Sequence, residues 1–132
     1  MKINIYTHAK KILPFYSDAI KEYQKRLSRF AKVKIIKIKP SELNKKLNLD
    51  SYIIKVSSKG SSMSSPDLAL LFETLALAGS SEVNFVITDE SIEPTNHISL
   101  SQMNLSDDLS LTILHEQVYR SFSITNNLPY HK

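Results

Sequence analysis

The 132-residue sequence contains no cysteine and no tryptophan, and only two glycines. Without cysteine, a disulfide framework and a thiolate-ligated metal site are excluded. No apolar run approaches the roughly 20 residues that a membrane-spanning helix needs, and no basic start leads into an apolar signal segment. These absences favour a soluble cytoplasmic protein, and 15.0 kDa suits one domain over residues 1–132.

Residue patterns typical of several catalytic classes are also missing. The four histidines are scattered along the chain, so we expect no metal site: His8, His97, His115 and His131. We expect His115, inside a predicted helix, to be packed or at the surface rather than a ligand. Neither a Ser-His-Asp arrangement nor a paired-carboxylate pattern stands out.

The charge is divided unevenly along the chain. Residues 1–46 hold 13 Lys and Arg against three acids, whereas residues 47–132 hold four against ten. The two parts therefore carry about +10 and −6, which fits an anionic partner bound through the basic N-terminal half. The alternative interpretation is a solvated face that only keeps the protein soluble.

The N-terminal third predicts strand, helix, strand. Ile3 to Tyr6 form the first strand, a helix begins at Pro14, and Val33 to Ile38 form the second strand. The apolar stripe of this helix is predicted to comprise Phe15, Ala19, Tyr23, Leu27 and Phe30.

The middle third predicts strand, helix, strand again. A short helix capped by Ser41 precedes a buried strand, Tyr52 to Val56. The serine-rich stretch 57–65 is interpreted as a loop after that strand. The next helix has Ser65 as cap, Pro66 and Asp67 in its first turn, and Gly79 at its end; then comes a strand, Val83 to Ile87.

The last third predicts a strand Ile98 to Ser101, a polar link Gln102 to Ser106, and a helix Asp107 to Phe122. Met63 and Met103 are expected to fill apolar gaps. The whole pattern indicates an α/β fold with a mainly parallel sheet and helices on both faces. Ligands of such sheets lie beyond the carboxyl ends of strands, here Val56-Ser57, Ile87-Thr88 and 101–106.

Several segments together resemble the ribosomal RNA large subunit methyltransferase H family. They are Lys2 to Pro14, Tyr23 to Leu27, Phe30 to Val33, Ser99 to Asn104, Glu116 to Arg120, and Pro129 to Lys132 at the C-terminus. The resemblance implies a SPOUT-class fold with a C-terminal trefoil knot that holds S-adenosyl-L-methionine. It also implies a homodimer that methylates N3 of a pseudouridine in 23S ribosomal RNA, on the assembled ribosome.

The same resemblance implies roles for individual residues. The cofactor contacts fall on Val56, Thr88, Ser101, Gln102, Met103, Asn104, Leu105 and Ser106. The substrate side falls on Arg120, Tyr130 and His131. His131 is the candidate base for the N3 proton, with Arg120 stabilising developing negative charge.

The chain departs from the family pattern around the cofactor contacts. Thr88-Asp89-Glu90 stands where the family has a Gly-Gly pair, and the link from there to Ser99 is shorter. Glycines allow a backbone to approach a ligand closely. Three hypotheses follow: an active methyltransferase, a knotted homodimer that binds ribosomal RNA or another partner without cofactor, and a small regulatory or assembly protein that binds no RNA.

Overall fold

The computed structural model describes residues 1–131, which form a five-stranded sheet and the helices that pack on it. The strands are β1 (Lys2–Thr7), β2 (Lys32–Lys37), β3 (Tyr52–Ser62), β4 (Glu82–Ile87) and β5 (Asn96–Ser99), in the order β2-β1-β4-β3-β5. The helices are α1 (Pro14–Leu27), α2 (Leu43–Lys46), α3 (Ser65–Leu77) and α4 (Asp107–Thr125); a 3-10 turn (Pro40–Glu42) precedes α2. All four strand pairings are parallel, which confirms the predicted α/β sheet. Lys132, the last residue of the predicted tail, lies outside the described residues.

The two faces of the sheet are covered unequally. On one face, α1, α3 and α4 share a large apolar cluster with strand residues such as Ile5, Ile54 and Phe85. On the other face, a smaller cluster of Ile38, Leu43, Leu47, Ile53 and Val86 lies under the segment 38–47. Helices therefore lie on both faces as predicted, but three of the four share one face. The two-residue period of strands explains the division, because alternate residues point to opposite faces.

The helix α4 packs against both α1 and α3, and its buried side chains form the centre of the larger cluster. His115 is fully buried in α4. Its Nδ1 donates to the Leu111 carbonyl oxygen at 2.7 Å, and its Nε2 accepts from the Gln24 amide at 3.2 Å. Burial lowers the pKa of His115, which favours the neutral form. The prediction of a packed histidine is confirmed, and this one joins α4 to α1.

Several predicted helix details are wrong. The cap of α3 is Ser64, whose Oγ accepts from the Asp67 amide at 3.1 Å, whereas Ser65 is already the first helical residue. Ser41 caps nothing, because it lies inside the 3-10 turn. In α1, the Phe15 side chain is 63% exposed, so Phe15 does not belong to the buried stripe of the helix.

The remaining boundaries move by a few residues. Ile20, outside the predicted stripe, is one of the two buried residues of α1. β5 begins two residues earlier than predicted and α4 continues three residues further, to Thr125. Pro14 starts α1 and Gly79 follows α3 with φ +84°, both as predicted.

The stretch Ser57–Ser62 belongs to β3 rather than to a loop. Pairing with β5 shifts here, because Val56 and Ser61 both pair with Ile98. Gly60 lies at this irregularity, and a Cβ on it would be 2.3 Å from the Ile98 carbonyl carbon. The stretch looked like a loop because its apolar alternation ends at Val56. Its strand conformation comes from the neighbouring strand rather than from local propensity.

We predict that Gly60→Ala lowers the free energy of unfolding by about 1–3 kcal/mol, because the new methyl group would push β5 away from β3. Chemical denaturation measures this change. Ser61→Ala, at an exposed neighbouring residue of the same strand, is the matched control and should leave stability within about 0.5 kcal/mol. Equal stability of Gly60→Ala and the control would contradict the close contact.

Candidate functional site

A cavity of about 260 Å³ lies at the carboxyl edge of the sheet. The end of β4 and residues 56–58, in the middle of β3, line it together with the link between β5 and α4. The sequence predicted a strand end at each of these three segments; β4 and β5 do end here, whereas β3 continues to Ser62. Parallel strands bring their carboxyl ends to one edge, so the cavity follows from the topology.

Six of the eight predicted cofactor residues line the cavity: Val56, Thr88, Ser101, Met103, Asn104 and Leu105. Gln102 and Ser106 do not, and both are exposed. Ser106 is the cap of α4, and its Oγ accepts from the Leu109 amide at 3.4 Å, so its side chain is committed to the helix. Met103 is 78% exposed, so the expectation that it fills an apolar gap is wrong; Met63 packs against the larger cluster.

Side-chain hydrogen bonds hold the link between β5 and α4 in place. The Ser99 hydroxyl donates to the Ser101 carbonyl oxygen at 2.7 Å, and the Met103 amide donates to Ser101 Oγ at 3.0 Å. Ser58 Oγ, on the extended part of β3, donates to Asn104 Oδ1 at 3.1 Å. The link is therefore tied to β3, which also lines the cavity.

Acidic side chains give the cavity a negative rim. Asp89 and Glu90 follow β4 and are exposed, and Asp107 at the start of α4 also lines the cavity. Asp107 and Asp108 lie in the first turn of α4, as predicted. Lys55 does not pair with the nearby carboxylates; its Nζ donates to the Glu90 carbonyl oxygen at 2.7 Å. A rim of this charge suits a ligand that carries positive charge.

The sequence did not identify His8 as a site residue, yet it lines the cavity. Its Nε2 lies 2.8 Å from Thr88 Oγ1 and its Nδ1 lies 2.8 Å from the Ile38 carbonyl oxygen. The available signal was its position directly after β1, at the carboxyl end of a predicted parallel strand. What the sequence could not show was that β1 and β4 are neighbours.

The predicted catalytic residues meet one another at the C-terminal end of α4. Arg120 Nη1 lies 3.1 Å from His131 Nδ1, and the Arg120 guanidinium stacks over the Tyr130 ring at 4.9 Å. Glu116 organises the group, because its Oε1 accepts from Arg120 Nη2 at 2.6 Å and from the Tyr130 hydroxyl at 3.0 Å. The Tyr23 hydroxyl lies 3.3 Å from that of Tyr130. The sequence had placed Tyr23 in the apolar stripe of α1 and had given neither Tyr23 nor Glu116 a role in the site.

The environment of Tyr130 keeps its phenol protonated. Burial is the largest cause that raises its pKa, followed by its hydrogen bonds to Tyr23 and Glu116. The Tyr130 hydroxyl therefore donates to Glu116, and its ring lies under the Arg120 guanidinium.

The cavity and the tail lie far apart within one chain. Ser110 lines the cavity, whereas Arg120 lies ten residues later on the same helix, about 15 Å along its axis. None of Arg120, Tyr130 and His131 is among the cavity's lining residues. The structure thus brings each half of the predicted site together, but not the two halves.

Within residues 1–131, no group of three or more His, Asp and Glu side chains is arranged to hold a metal ion. No helix in that range is long and apolar enough to cross a membrane.

We predict that Glu116→Ala loosens the tail, because Arg120 and Tyr130 lose their shared acceptor. Amide hydrogen exchange at Tyr130 should become about tenfold faster, which corresponds to the loss of roughly one net charged hydrogen bond. Glu73→Ala, an exposed glutamate of α3, is the control. Unchanged exchange at Tyr130 would show that Glu116 does not anchor the tail.

Comparison with known proteins gives a consistent family. A family model described as "Predicted SPOUT methyltransferase" matches residues 1–131. Ribosomal RNA large subunit methyltransferase H 1 of Thermoanaerobacter sp. is 42% identical over 133 positions, covering 100% of each chain. Ribosomal RNA large subunit methyltransferase H of Oenococcus oeni is 32% identical over 159 positions, covering 100% of this chain and 99% of the relative. A protein of Methanococcus maripaludis named "Putative ribosomal RNA large subunit methyltransferase H" is 33% identical over 159 positions, covering 100% of each chain.

These alignments differ in length. The 159 positions exceed the 132 residues of this chain, so at least 27 positions of the longer relatives have no counterpart here. The alignment with the Thermoanaerobacter protein spans only 133 positions. This chain therefore shares its shorter length with the Thermoanaerobacter protein.

Proposed function

Because the chain belongs to the SPOUT methyltransferase family, we propose that it transfers a methyl group from S-adenosyl-L-methionine to N3 of a pseudouridine in 23S ribosomal RNA of the assembled ribosome. One observation carries the proposal: six of the eight residues expected to contact the cofactor line one cavity at the carboxyl edge of the sheet. The names of the relatives support ribosomal RNA as the substrate.

The residues around the cavity fit this cofactor. The cavity volume of about 260 Å³ is slightly below the roughly 300–1,000 Å³ of ligand pockets, and the cavity is open to solvent. Asp89 and Glu90 provide negative charge for the sulfonium and ammonium groups of S-adenosylmethionine. The side chains of Val56 and Leu105 provide apolar contacts, and Ser101 and Asn104 provide polar ones. Gln102 and Ser106 would contribute through their backbone only.

The bound cofactor supplies an electrophilic methyl group. A residue of the chain must accept the proton that leaves N3 of the pseudouridine. Arg120 donates to Nδ1 of His131. In a neutral imidazole the ring proton is then on Nε2, so Nε2 is a hydrogen-bond donor and Nδ1 is an acceptor that Arg120 already occupies. We propose that the substrate draws Arg120 towards a carbonyl oxygen of the pseudouridine. Nδ1 of His131 is then free to accept the N3 proton, and Arg120 stabilises the negative charge on the base.

We further propose that the protein acts as a homodimer in which the tail of one protomer completes the cavity of the other. The distance between cavity and tail along α4 supports this arrangement. We place both in one domain with a C-terminal trefoil knot, as in the SPOUT class. The link between β5 and α4, tied to β3 by Ser58 and Asn104, is the expected location of that knot.

The basic surface for RNA is proposed to lie next to the tail. The exposed residues Lys25, Arg29 and Lys32 cluster where α1 ends and β2 begins. Arg26 joins this cluster to the tail, because its guanidinium lies 5.7 Å from the Tyr119 ring and Tyr119 contacts the Tyr130 ring. Phosphates bound here would guide the RNA to the tail without reading its sequence.

The second candidate function is a homodimer that binds ribosomal RNA without cofactor. The observation that favours it is Thr88-Asp89-Glu90 in place of glycines at the cavity wall. The two candidates share the basic surface and differ at the cavity. Cofactor binding therefore separates them.

We predict saturable, one-to-one binding of S-adenosylmethionine by isothermal titration calorimetry, and its loss in Asn104→Trp because the indole would fill the cavity. Asn44→Trp, at an exposed position of α2, is the matched control and should bind like wild type. No binding by the wild-type protein would favour the cofactor-free candidate.

We predict that His131→Ala and Asn104→Trp are each inactive on ribosomes but complement each other when mixed. A mixed dimer holds one intact site, made of the cavity of the His131→Ala protomer and the tail of the other. Random mixing would restore about a quarter of wild-type methylation. Absence of restored activity, with subunit exchange verified by mass spectrometry, would place cavity and tail in the same protomer.

A further inference from the structure

We propose that His8 is a positioning residue of the cavity, which holds the Thr88 side chain in the wall so that the turn 88–90 leaves room for S-adenosylmethionine. The inference rests on the proposed function for the identity of the ligand. The relevant contacts are those of His8, Ile38 and Thr88, at the carboxyl ends of three neighbouring strands.

The orientation of the His8 ring follows from its partners. The Ile38 carbonyl oxygen can only accept, so Nδ1, at 2.8 Å, carries a proton. In the neutral imidazole Nε2 is then an acceptor, and the Thr88 hydroxyl donates to it at 2.8 Å. His8 thus spans from the end of β2 to the end of β4, with β1 between them.

Further hydrogen bonds continue from Thr88 into the turn. Thr88 Oγ1 accepts from the Glu90 amide at 3.0 Å, and the Thr88 amide donates to the Val56 carbonyl oxygen at 3.2 Å. The Glu90 carbonyl oxygen accepts from Lys55 at 2.7 Å. The turn that carries Asp89 and Glu90 is therefore fixed at several points, and the Thr88 hydroxyl is common to two of them.

These hydrogen bonds explain how the Thr88 side chain can line the cavity and still leave space for a ligand. Thr88 is only 5% exposed although it lines the cavity. Its single hydroxyl proton is used by His8, so only a lone pair remains to accept from a ligand's amino or hydroxyl group. Without His8, the threonine would lose the partner that selects its rotamer, and the turn would lose one of its fixed points.

Titration calorimetry with S-adenosylmethionine tests the proposal. His8→Ala should bind about tenfold more weakly than wild type, as expected for one lost buried hydrogen bond. Thr88→Val should bind at least as weakly as His8→Ala, because it also removes the acceptor of the Glu90 amide. The double variant should bind no more than about twofold more weakly than Thr88→Val, because the contact that His8→Ala removes is already lost in that variant. His8→Gln should stay within about threefold of wild type, since its amide offers one donor and one acceptor. Lys10→Ala, exposed just after β1, is the control and should match wild type.

Steady-state methylation gives a second readout, in which His8→Ala raises KM for the cofactor and leaves kcat unchanged. Additive losses in the double variant, or wild-type affinity of His8→Ala, would overturn the role of His8 while cofactor binding by the wild-type protein upholds the proposed function. No binding by the wild-type protein would overturn both. If His8→Ala does not fold, Thr88→Val and His8→Gln carry the same comparison.

Discussion

All five strands run in the same direction, and most of the architecture depends on this constraint. The residues that follow β1, β4 and β5 lie at one edge of the sheet, where they enclose a cavity together with residues 56–58 of β3. Every connecting helix must return to the opposite edge before the next strand begins. The last helix, α4, starts at the cavity and ends at the far edge, and this places the tail away from the cavity.

Three contacts along α4 show how one helix serves both ends. Ser106 caps its first turn and fixes the link that borders the cavity. His115, buried and neutral at its middle, ties it to α1. Glu116 gathers Arg120 and Tyr130 near its end. The length of the helix separates the two half-sites within one protomer, which is why we propose that a second copy of the chain completes the site.

The sequence predicted the elements that depend on local pattern and missed what depends on neighbours. Short runs rich in apolar residues located β1, β2 and β4, and Pro14 and Gly79 marked helix ends, because these signals act within a few residues. The strand character of Ser57–Ser62 was missed because it comes from pairing with β5. Ser64 and Ser65 are the same residue type, so pattern alone could not decide which one caps α3.

The site shows the same division. The family pattern gave six cavity residues and the three tail residues, but not His8 or Glu116 as supports. The partners of His8 come from β2 and β4, which only the strand order makes adjacent. Ser106 was assigned to the cavity by position, whereas its capping bond decides where its side chain lies.

The fold places acidic and basic residues of the sequence at opposite edges of the sheet. Asp89, Glu90 and Asp107 stand at the carboxyl edge around the cavity, and Lys25, Arg29 and Lys32 stand at the opposite edge beside the tail. The proposed cationic cofactor and anionic RNA would thus be attracted to different ends of one protomer. In a dimer that joins the cavity of one protomer to the tail of the other, the acidic edge also faces the basic edge. The same separation of charge then favours the pairing of protomers and brings the two substrates to a common site.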